Sequence, residues 1–266
     1  MATTGIPAKD AVAKVLRDTT ALPAFLTGSA VAAETYDLQQ SYSDIDLFVP
    51  NEGSYFAVVT KLLCSGYRIE NDRFERMWDR HVNIGFNKWH TNSMKLLDEV
   101  TGTEVNVIYK LVEGHQTTQL SQVIESFDFG LLGVGYETKT GVFRDMRGYL
   151  FPGLDPNGPL PMIGYRAGTV GKGLMSQFSM QRTPGRYARY IEYGHDLSAV
   201  KDTLVEGYQI YADYKMNRTK DDDILIGRIA LALSEKIRDD DIDGLLLFDK
   251  KLPTTDGLDD VMASLE

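Results

Sequence analysis

Two aspartates, Asp44 and Asp46, occupy alternate positions in the apolar stretch DIDLFV, residues 44–49. Side chains alternate across a β-strand, so both carboxylates project from one face while Ile45 and Leu47 point to the other. Carboxylates this close oppose each other's ionisation unless a cation bridges them. Mg²⁺ (or Mn²⁺) suits such a pair, because it takes carboxylate, water and phosphate oxygens. The pattern therefore predicts a divalent-cation site.

A second feature, Gly28-Ser29, directly follows the apolar segment FLT. Glycine lets the backbone approach a ligand closely. Backbone N–H groups at a helix start, together with the Ser29 hydroxyl, can hold phosphate oxygens. The two features together predict a site for a metal-bound triphosphate.

These segments, FLTGS (residues 25–29) and DIDLFV (44–49) with fourteen residues between them, resemble the signature of the DNA polymerase beta superfamily of nucleotidyltransferases. The resemblance implies that Asp44 and Asp46 hold metal ions and that Gly28 and Ser29 grip the β and γ phosphates. It further implies that an acceptor hydroxyl attacks the α-phosphorus of a nucleoside triphosphate such as ATP and that pyrophosphate leaves. The fold implied is an α/β mixed-sheet nucleotidyltransferase domain followed by a helical domain, with the nucleotide between them.

The superfamily pattern usually adds a third carboxylate on a later strand. At the expected position this chain has Asn106, with Glu104 two residues earlier on the same face. The segments TNSMKLL, EVNVIY and ESFDFGLLGVGY also resemble parts of some viral and microbial members, which favours Asp128 as the third ligand. The implied catalytic and metal-binding set is thus Asp44, Asp46 and Asp128, with Glu104 as the alternative. A purely structural role for Asp128, accepting backbone hydrogen bonds, stays open.

The segment QRTPGRYARYIEYG brings basic and aromatic side chains to helical spacing, which makes residues three and four apart neighbours. The superfamily commonly uses such residues of its helical domain to hold nucleotide phosphates and to stack a base. Arg186 and Tyr190 are the candidates for nucleotide binding. The alternative is that the tyrosines pack in a core and that the arginines pair with the acidic tail. Thr183-Pro184 predicts a helix start, with threonine as the cap and proline at the first position.

Periodicity and turn residues divide the chain into two parts. In the first part the pattern predicts helices over residues 8–19, 53–64 and 117–125, and strands over 24–27, 44–49, 80–86, 93–97, 103–109, within 126–137 and at 141–146. The proline- and glycine-rich stretch 151–161 predicts a linker. Beyond it the pattern predicts helices over 162–180, 184–200, 201–217, 222–238 and 240–250. We therefore expect an α/β catalytic domain in residues 1–150 and a helical domain in 151–266.

Composition limits the class of protein. The chain has 266 residues, 43% hydrophobic and 25% charged, which is typical of a soluble globular protein. No run approaches the roughly 20 apolar residues of a membrane helix. The N-terminus does not resemble a signal peptide, so we expect a cytoplasmic protein. One cysteine, Cys64, and four scattered histidines argue against a zinc cluster and favour oxygen ligands.

The acceptor is left open by the sequence. The net charge is −10, and residues 192–266 carry 18 acidic against 9 basic side chains, which is −9. Between residues 144 and 189 basic side chains predominate, which favours an RNA 3′ end, such as that of a tRNA, as the acceptor. The overall acidity fits a small molecule or a protein acceptor better. A degenerate nucleotide-binding module without turnover is the remaining alternative, and Asn106 is the residue that supports it.

Overall fold

The computed structural model describes residues 6–38, 42–72, 90–112, 115–116, 118–124, 127, 129–146 and 177–251. The chain divides into two compact units. Unit 1 comprises Met1–Phe127 and Leu131–Pro156, and unit 2 comprises Asp128–Gly130 and Asn157–Glu266.

Unit 1 combines four helices with eight strands in its described residues. The helices are α1 (Ala8–Asp18), α2 (Ser29–Thr35), α3 (Glu52–Cys64) and α4 (Leu120–Ile124). The strands are β1 (Phe25–Thr27), β2 (Ile45–Val49), β3 (Tyr67–Asp72), β4 (His90–Asp98), β5 (Thr103–Val112), β6 (His115–Gln116), β7 (Val134–Glu137) and β8 (Val142–Asp145).

The strands form one mixed sheet with the order β3-β4-β5-β2-β1-β7-β8, and β6 pairs with β5 beside this path. The pair β2 and β5 is parallel, whereas β1 is antiparallel to both β2 and β7. β4 and β5 form an antiparallel hairpin. The expected mixed α/β fold class is confirmed.

One face of the sheet, the apolar face, carries the main core. The strand residues Leu26, Ile45, Leu47 and Val107 are fully buried there. They pack in one cluster with apolar side chains of α1, α2 and α3. Burial of this area is the largest favourable contribution to the stability of unit 1, at about 25 cal/mol per Å² of apolar surface.

The opposite face is divided between apolar and polar side chains. Phe48 and Ile108 pack with Val123 of α4 in a smaller cluster, against which Phe25 and Phe127 lie. Two residues earlier in β2 and in β5 the side chains on this face are polar, Asp46 and Asn106. We call this side of the sheet the aspartate face, because it carries Asp44, Asp46, Lys95, Glu104 and Asn106.

Unit 2 is helical where the structure describes it. Its helices are α5 (Gln177–Glu192), α6 (Ser198–Met216), α7 (Asp221–Arg238) and α8 (Ile242–Lys251). α6 and α7 pack along each other and bury Leu204, Tyr208 and Leu233. They approach closely at Gly227, where a Cβ atom would lie 2.6 Å from Cγ of Met216.

Several predicted elements of unit 1 agree with the structure. Helix 8–19 corresponds to α1, helix 53–64 to α3, and strands 93–97 and 103–109 to β4 and β5. Strand β3, YRIEND, has no counterpart among the predictions. Strand 80–86, linker 151–161 and most of helix 162–180 lie outside the described residues.

The predicted helix start at Thr183-Pro184 is wrong. α5 begins at Gln177 and continues through Pro184. A proline inside a helix loses a backbone hydrogen bond and strains the preceding turn, at a cost of about 3 kcal/mol. Here Thr183, Tyr187 and Ala188 are buried, and their packing offsets this cost.

The predicted helix 184–200 is also divided differently. Gly194 has φ +88°, a left-handed conformation that ends the helical segment, and α6 begins at Ser198. The Asp196 side chain accepts a hydrogen bond from the Ser198 N–H at 2.9 Å, which helps to start α6.

Candidate functional site

A polar row crosses the middle of the sheet on the aspartate face. Strand register places Thr27 of β1 opposite Asp46 of β2, Asp46 beside Asn106 of β5, and Asn106 opposite Lys95 of β4. The row thus joins four adjacent strands, all of which are fixed from the other side by the main core. Side chains held this way keep their positions relative to one another, as a binding site requires.

Asp46 is the centre of the row. Its Oδ1 accepts a hydrogen bond from Nδ2 of Asn106 at 3.3 Å. On its other side lies Gly28, the last residue before α2, with φ +95°. A Cβ atom on Gly28 would lie 2.7 Å from Oδ2 of Asp46, so only glycine allows the backbone to come this close to the carboxylate.

Asp44 comes directly before β2 and is half-buried. The Ser43 hydroxyl donates a hydrogen bond to Oδ1 of Asp44 at 2.9 Å. The negative charge of Asp44 acts on Lys95, the member of the polar row on β4. Gly28 lies beside Asp46, and the projection of the Asp44 carboxylate from the same side of the sheet stays a prediction from strand alternation.

A lysine that the sequence analysis did not single out lies beside these acids. Nζ of Lys95 is 2.5 Å from Oε2 of Glu104, and the two side chains are 35% and 30% exposed. Burial opposes the charged form of Lys95, but the hydrogen bond to Glu104 and the negative charge of Asp44 outweigh it and raise the pKa of the ammonium. Lys95 therefore carries a positive charge within the acidic group.

Ser29 is the first residue of α2, a helix of seven residues that Gly28 precedes as the N-terminal cap. The Gly28 carbonyl accepts the first helical hydrogen bond, from the N–H of Ala32 at 3.0 Å. The predicted turn or helix start at Gly28-Ser29 is thus a helix start. The structure places it directly after β1 and against Asp46.

The predicted nucleotide-binding residues of the second part lie in α5. Tyr190 is 8% exposed, and its ring contacts those of Phe129 and His195 edge-on, with centroid distances of 5.5 Å and 5.8 Å. Arg186 is half-buried. Their roles in nucleotide binding stay predictions.

We call the rings of Tyr190, Phe129 and His195 the ring cluster of unit 2. Burial shifts the pKa values of His195 and of Tyr187, which precedes Tyr190 by three residues on α5. It lowers the pKa of His195 from 6.5 to about 4, because the charged imidazolium is poorly solvated there. The same effect, strengthened by the negative charges of Asp240 and Asp196, raises the pKa of Tyr187 to about 12. Both side chains are therefore neutral at physiological pH.

The oxygen donors determine which cation the site could hold. Asp44 and Asp46 offer carboxylate oxygens, while Glu104 is engaged by Lys95. Within the described ranges, no group of three or more histidine, cysteine, aspartate or glutamate side chains is placed to hold a metal ion. Asp128, the favoured third ligand, lies outside the described residues. The described donors thus amount to two carboxylates, which suits a cation that also takes water and phosphate oxygens.

Two further comparisons concern the chain as a whole. No model of a known protein family matches it, and no curated protein matches it in sequence. Among the helices that the structure describes, none is both long enough and apolar enough to cross a membrane.

Proposed function

We propose that this protein is a metal-dependent nucleotidyltransferase, which moves a nucleoside monophosphate from a triphosphate to an acceptor hydroxyl and releases pyrophosphate. The observation that carries the proposal is the contact between Gly28 and Asp46. It brings the helix start at Gly28-Ser29 against Asp46, and a metal-bound triphosphate would need backbone donors and carboxylates side by side. The family resemblance of FLTGS and DIDLFV supports the same activity.

The donor set fits Mg²⁺ or Mn²⁺. Asp44 and Asp46 would hold the cation through hard oxygen ligands, with the remaining positions left to water and to the triphosphate. When bound, such an ion lowers the pKa of the attacking hydroxyl and neutralises charge on the phosphates. Asp128 or Glu104 would complete the set, as the resemblance implies.

The chain's own residues position the reactants. The Gly28 backbone and the Ser29 hydroxyl would bind the terminal phosphates, so that the α-phosphorus faces the acceptor. Asn106 donates a hydrogen bond to Oδ1 of Asp46. This bond orients the Asp46 carboxylate and leaves Oδ2 available for the cation. The rigid sheet preserves this arrangement during turnover.

The acceptor is proposed to be an RNA 3′ end, supported by the excess of basic residues between positions 144 and 189. A small hydroxylated compound or a protein side chain is the alternative, supported by the net charge of −10. The full chain, incubated with labelled nucleoside triphosphates and Mg²⁺, separates these possibilities when RNA, protein and small compounds are offered in turn. Label found only on a small compound or only on protein would overturn the RNA assignment.

A second candidate is a nucleotide-binding module without turnover. The specific observation in its favour comes from the polar row. Asn106 stands where the superfamily pattern usually has a carboxylate, and the Glu104 carboxylate forms an ion pair with Lys95. Calorimetry with each triphosphate, with and without Mg²⁺, distinguishes the two. Binding that is independent of Mg²⁺ and yields no pyrophosphate would favour the module and contradict the enzyme.

A further inference from the structure

Lys95, on β4, is the last member of the polar row that begins at Thr27 on β1. Lys95 lies opposite Asn106, and Asn106 lies beside Asp46, so the lysine is two strands away from the carboxylate that contacts Gly28. Its ammonium is bound to Glu104 at 2.5 Å and interacts electrostatically with Asp44. The charge of Glu70 on β3 acts on Lys95 as well, so the lysine interacts with the carboxylates of Asp44, Glu104 and Glu70 together.

The charge balance of this group makes the lysine significant. Asp44, Asp46, Glu70 and Glu104 contribute four negative charges and Lys95 one positive charge, so the formal sum is −4 + 1 = −3. Without the lysine, the three partly buried carboxylates of Asp44, Asp46 and Glu104 would repel one another across two neighbouring strands. The Lys95 ammonium therefore neutralises part of the negative charge that a bound divalent cation would otherwise neutralise.

We propose that Lys95 is a resident counter-ion of the aspartate face, which competes with a divalent cation for the field of Asp44 and Asp46 and thereby sets the affinity for that cation. This inference rests on the proposed cation site. Lys95 is a positioning residue in this account, since it acts on the cation through the carboxylates rather than by contact with a reactant.

The competition follows from elementary electrostatics. An ammonium repels a divalent cation placed nearby, and the repulsion is strengthened where the surroundings are partly desolvated. Glu104 has two opposing effects, because its own charge attracts the cation and its hydrogen bond holds Lys95 in place. Since the pair Lys95 and Glu104 is neutral as a whole, removing both should change the cation affinity much less than removing either one.

The test is a charge cycle on the full chain, with Mn²⁺ alone as the probe and its binding followed by electron paramagnetic resonance. We expect Lys95→Met to bind Mn²⁺ about tenfold more tightly than the wild type and Glu104→Gln to bind it about tenfold more weakly. The double variant should lie near the wild type. Lys95→Arg, which keeps the charge, is the matched control and should also lie near the wild type.

Two further measurements keep the result interpretable. Circular dichroism and thermal unfolding show which variants are folded, and the Glu104→Gln arm stands by itself if Lys95→Met does not fold. Asp44→Asn/Asp46→Asn should abolish Mn²⁺ binding, which locates the ion. Mn²⁺ affinities of Lys95→Met or Glu104→Gln within twofold of the wild type, or shifts in the opposite direction, would overturn the inference.

Failure of the inference and failure of the proposed function are distinguishable. Tighter Mn²⁺ binding by Lys95→Met, in a protein that never releases pyrophosphate from a triphosphate, would leave the counter-ion in place and defeat the enzyme. Unchanged Mn²⁺ affinity of Lys95→Met, in a protein that does release pyrophosphate, would support the enzyme and defeat the counter-ion role of Lys95.

Discussion

The aspartate face of unit 1 carries the predicted metal ligands Asp44 and Asp46, and the ring cluster of unit 2 contains Tyr190, which was predicted to bind nucleotide, yet the two regions are built differently. In unit 1 the candidate residues are partly exposed polar groups on a sheet whose other face is fully packed. In unit 2 the candidate Tyr190 is itself 8% exposed and contacts other rings. Polar residues held on a packed sheet can be changed without loss of the core, whereas a buried ring cannot. The comparison thus predicts losses of activity in unit 1 and losses of stability in unit 2.

The largest effect is expected from Asp44→Asn/Asp46→Asn. The change removes both carboxylates of the proposed cation site but keeps their shape, so we expect turnover to fall at least about a thousandfold with the fold retained. Pyrophosphate release measures turnover, and circular dichroism measures folding. Asp10→Asn/Asp202→Asn is the control, because it removes two exposed acids elsewhere. Normal pyrophosphate release by the folded Asp44→Asn/Asp46→Asn variant would defeat the assignment.

Tyr190→Ala should break the ring cluster of unit 2. Loss of a large buried ring lowers the free energy of unfolding by about 3 kcal/mol. Urea unfolding measures this, and Tyr214→Ala is the matched control, since Tyr214 is 45% exposed on α6. Equal losses in the two variants would contradict the structural role assigned to the cluster. Tyr190→Phe keeps the ring, so a specific loss of triphosphate affinity in that variant would instead support nucleotide binding.

Gly28→Ala tests the close approach to Asp46. Gly66 has φ +93°, almost the same as Gly28, but a Cβ atom there would meet nothing within 4 Å. Both alanine variants therefore suffer similar backbone strain, about 1 kcal/mol or somewhat more, and only Gly28→Ala displaces the carboxylate. We expect Gly28→Ala to lower kcat/KM for the triphosphate about a hundredfold. An equal fall in kcat/KM for Gly66→Ala would show that strain, not the contact, is responsible.

The smallest effect concerns pH and His195. Its pKa is lowered from 6.5 to about 4 in the folded protein. Between these values the unfolded chain binds more protons than the folded one, so the stabilisation is complete above pH 6.5 and is lost as the pH falls towards 4. At pH 5 the loss amounts to up to ~2 kcal/mol. Urea unfolding between pH 7.5 and 5 measures it.

The control for this prediction is His195→Gln, which cannot titrate. Its free energy of unfolding should depend less on pH than that of the wild type over the same interval. Parallel pH profiles for the two proteins would show that other groups are responsible.

The sequence predicted those parts of the fold that depend on local pattern. The apolar periodicity of α1 and α3 and the apolar runs that form β4 and β5 are local features. The helix start predicted at Thr183-Pro184 was wrong because the burial of neighbouring residues outweighs the preference of proline for the first turn of a helix. That burial is defined only in the folded chain.

The missing part of the candidate site depends on strand register. Lys95 lies in SMKLL between Met94 and Leu96, which are both buried in the main core. No local sequence pattern, however, shows that Lys95 lies opposite Asn106 or that Asn106 lies beside Asp46, because both statements depend on the register between strands. A prediction of the register would have been needed to find the lysine beside the acids.

The strand order also bears on how the chain acquires its structure as it leaves the ribosome. Asn106 bonds a residue sixty positions earlier, and the Thr27 hydroxyl donates to the Val134 carbonyl, 107 positions later. Such long-range pairings fold slowly. β1 therefore emerges early but receives its second neighbour only when β7 has been translated, and until then a nascent chain carries it as an open edge.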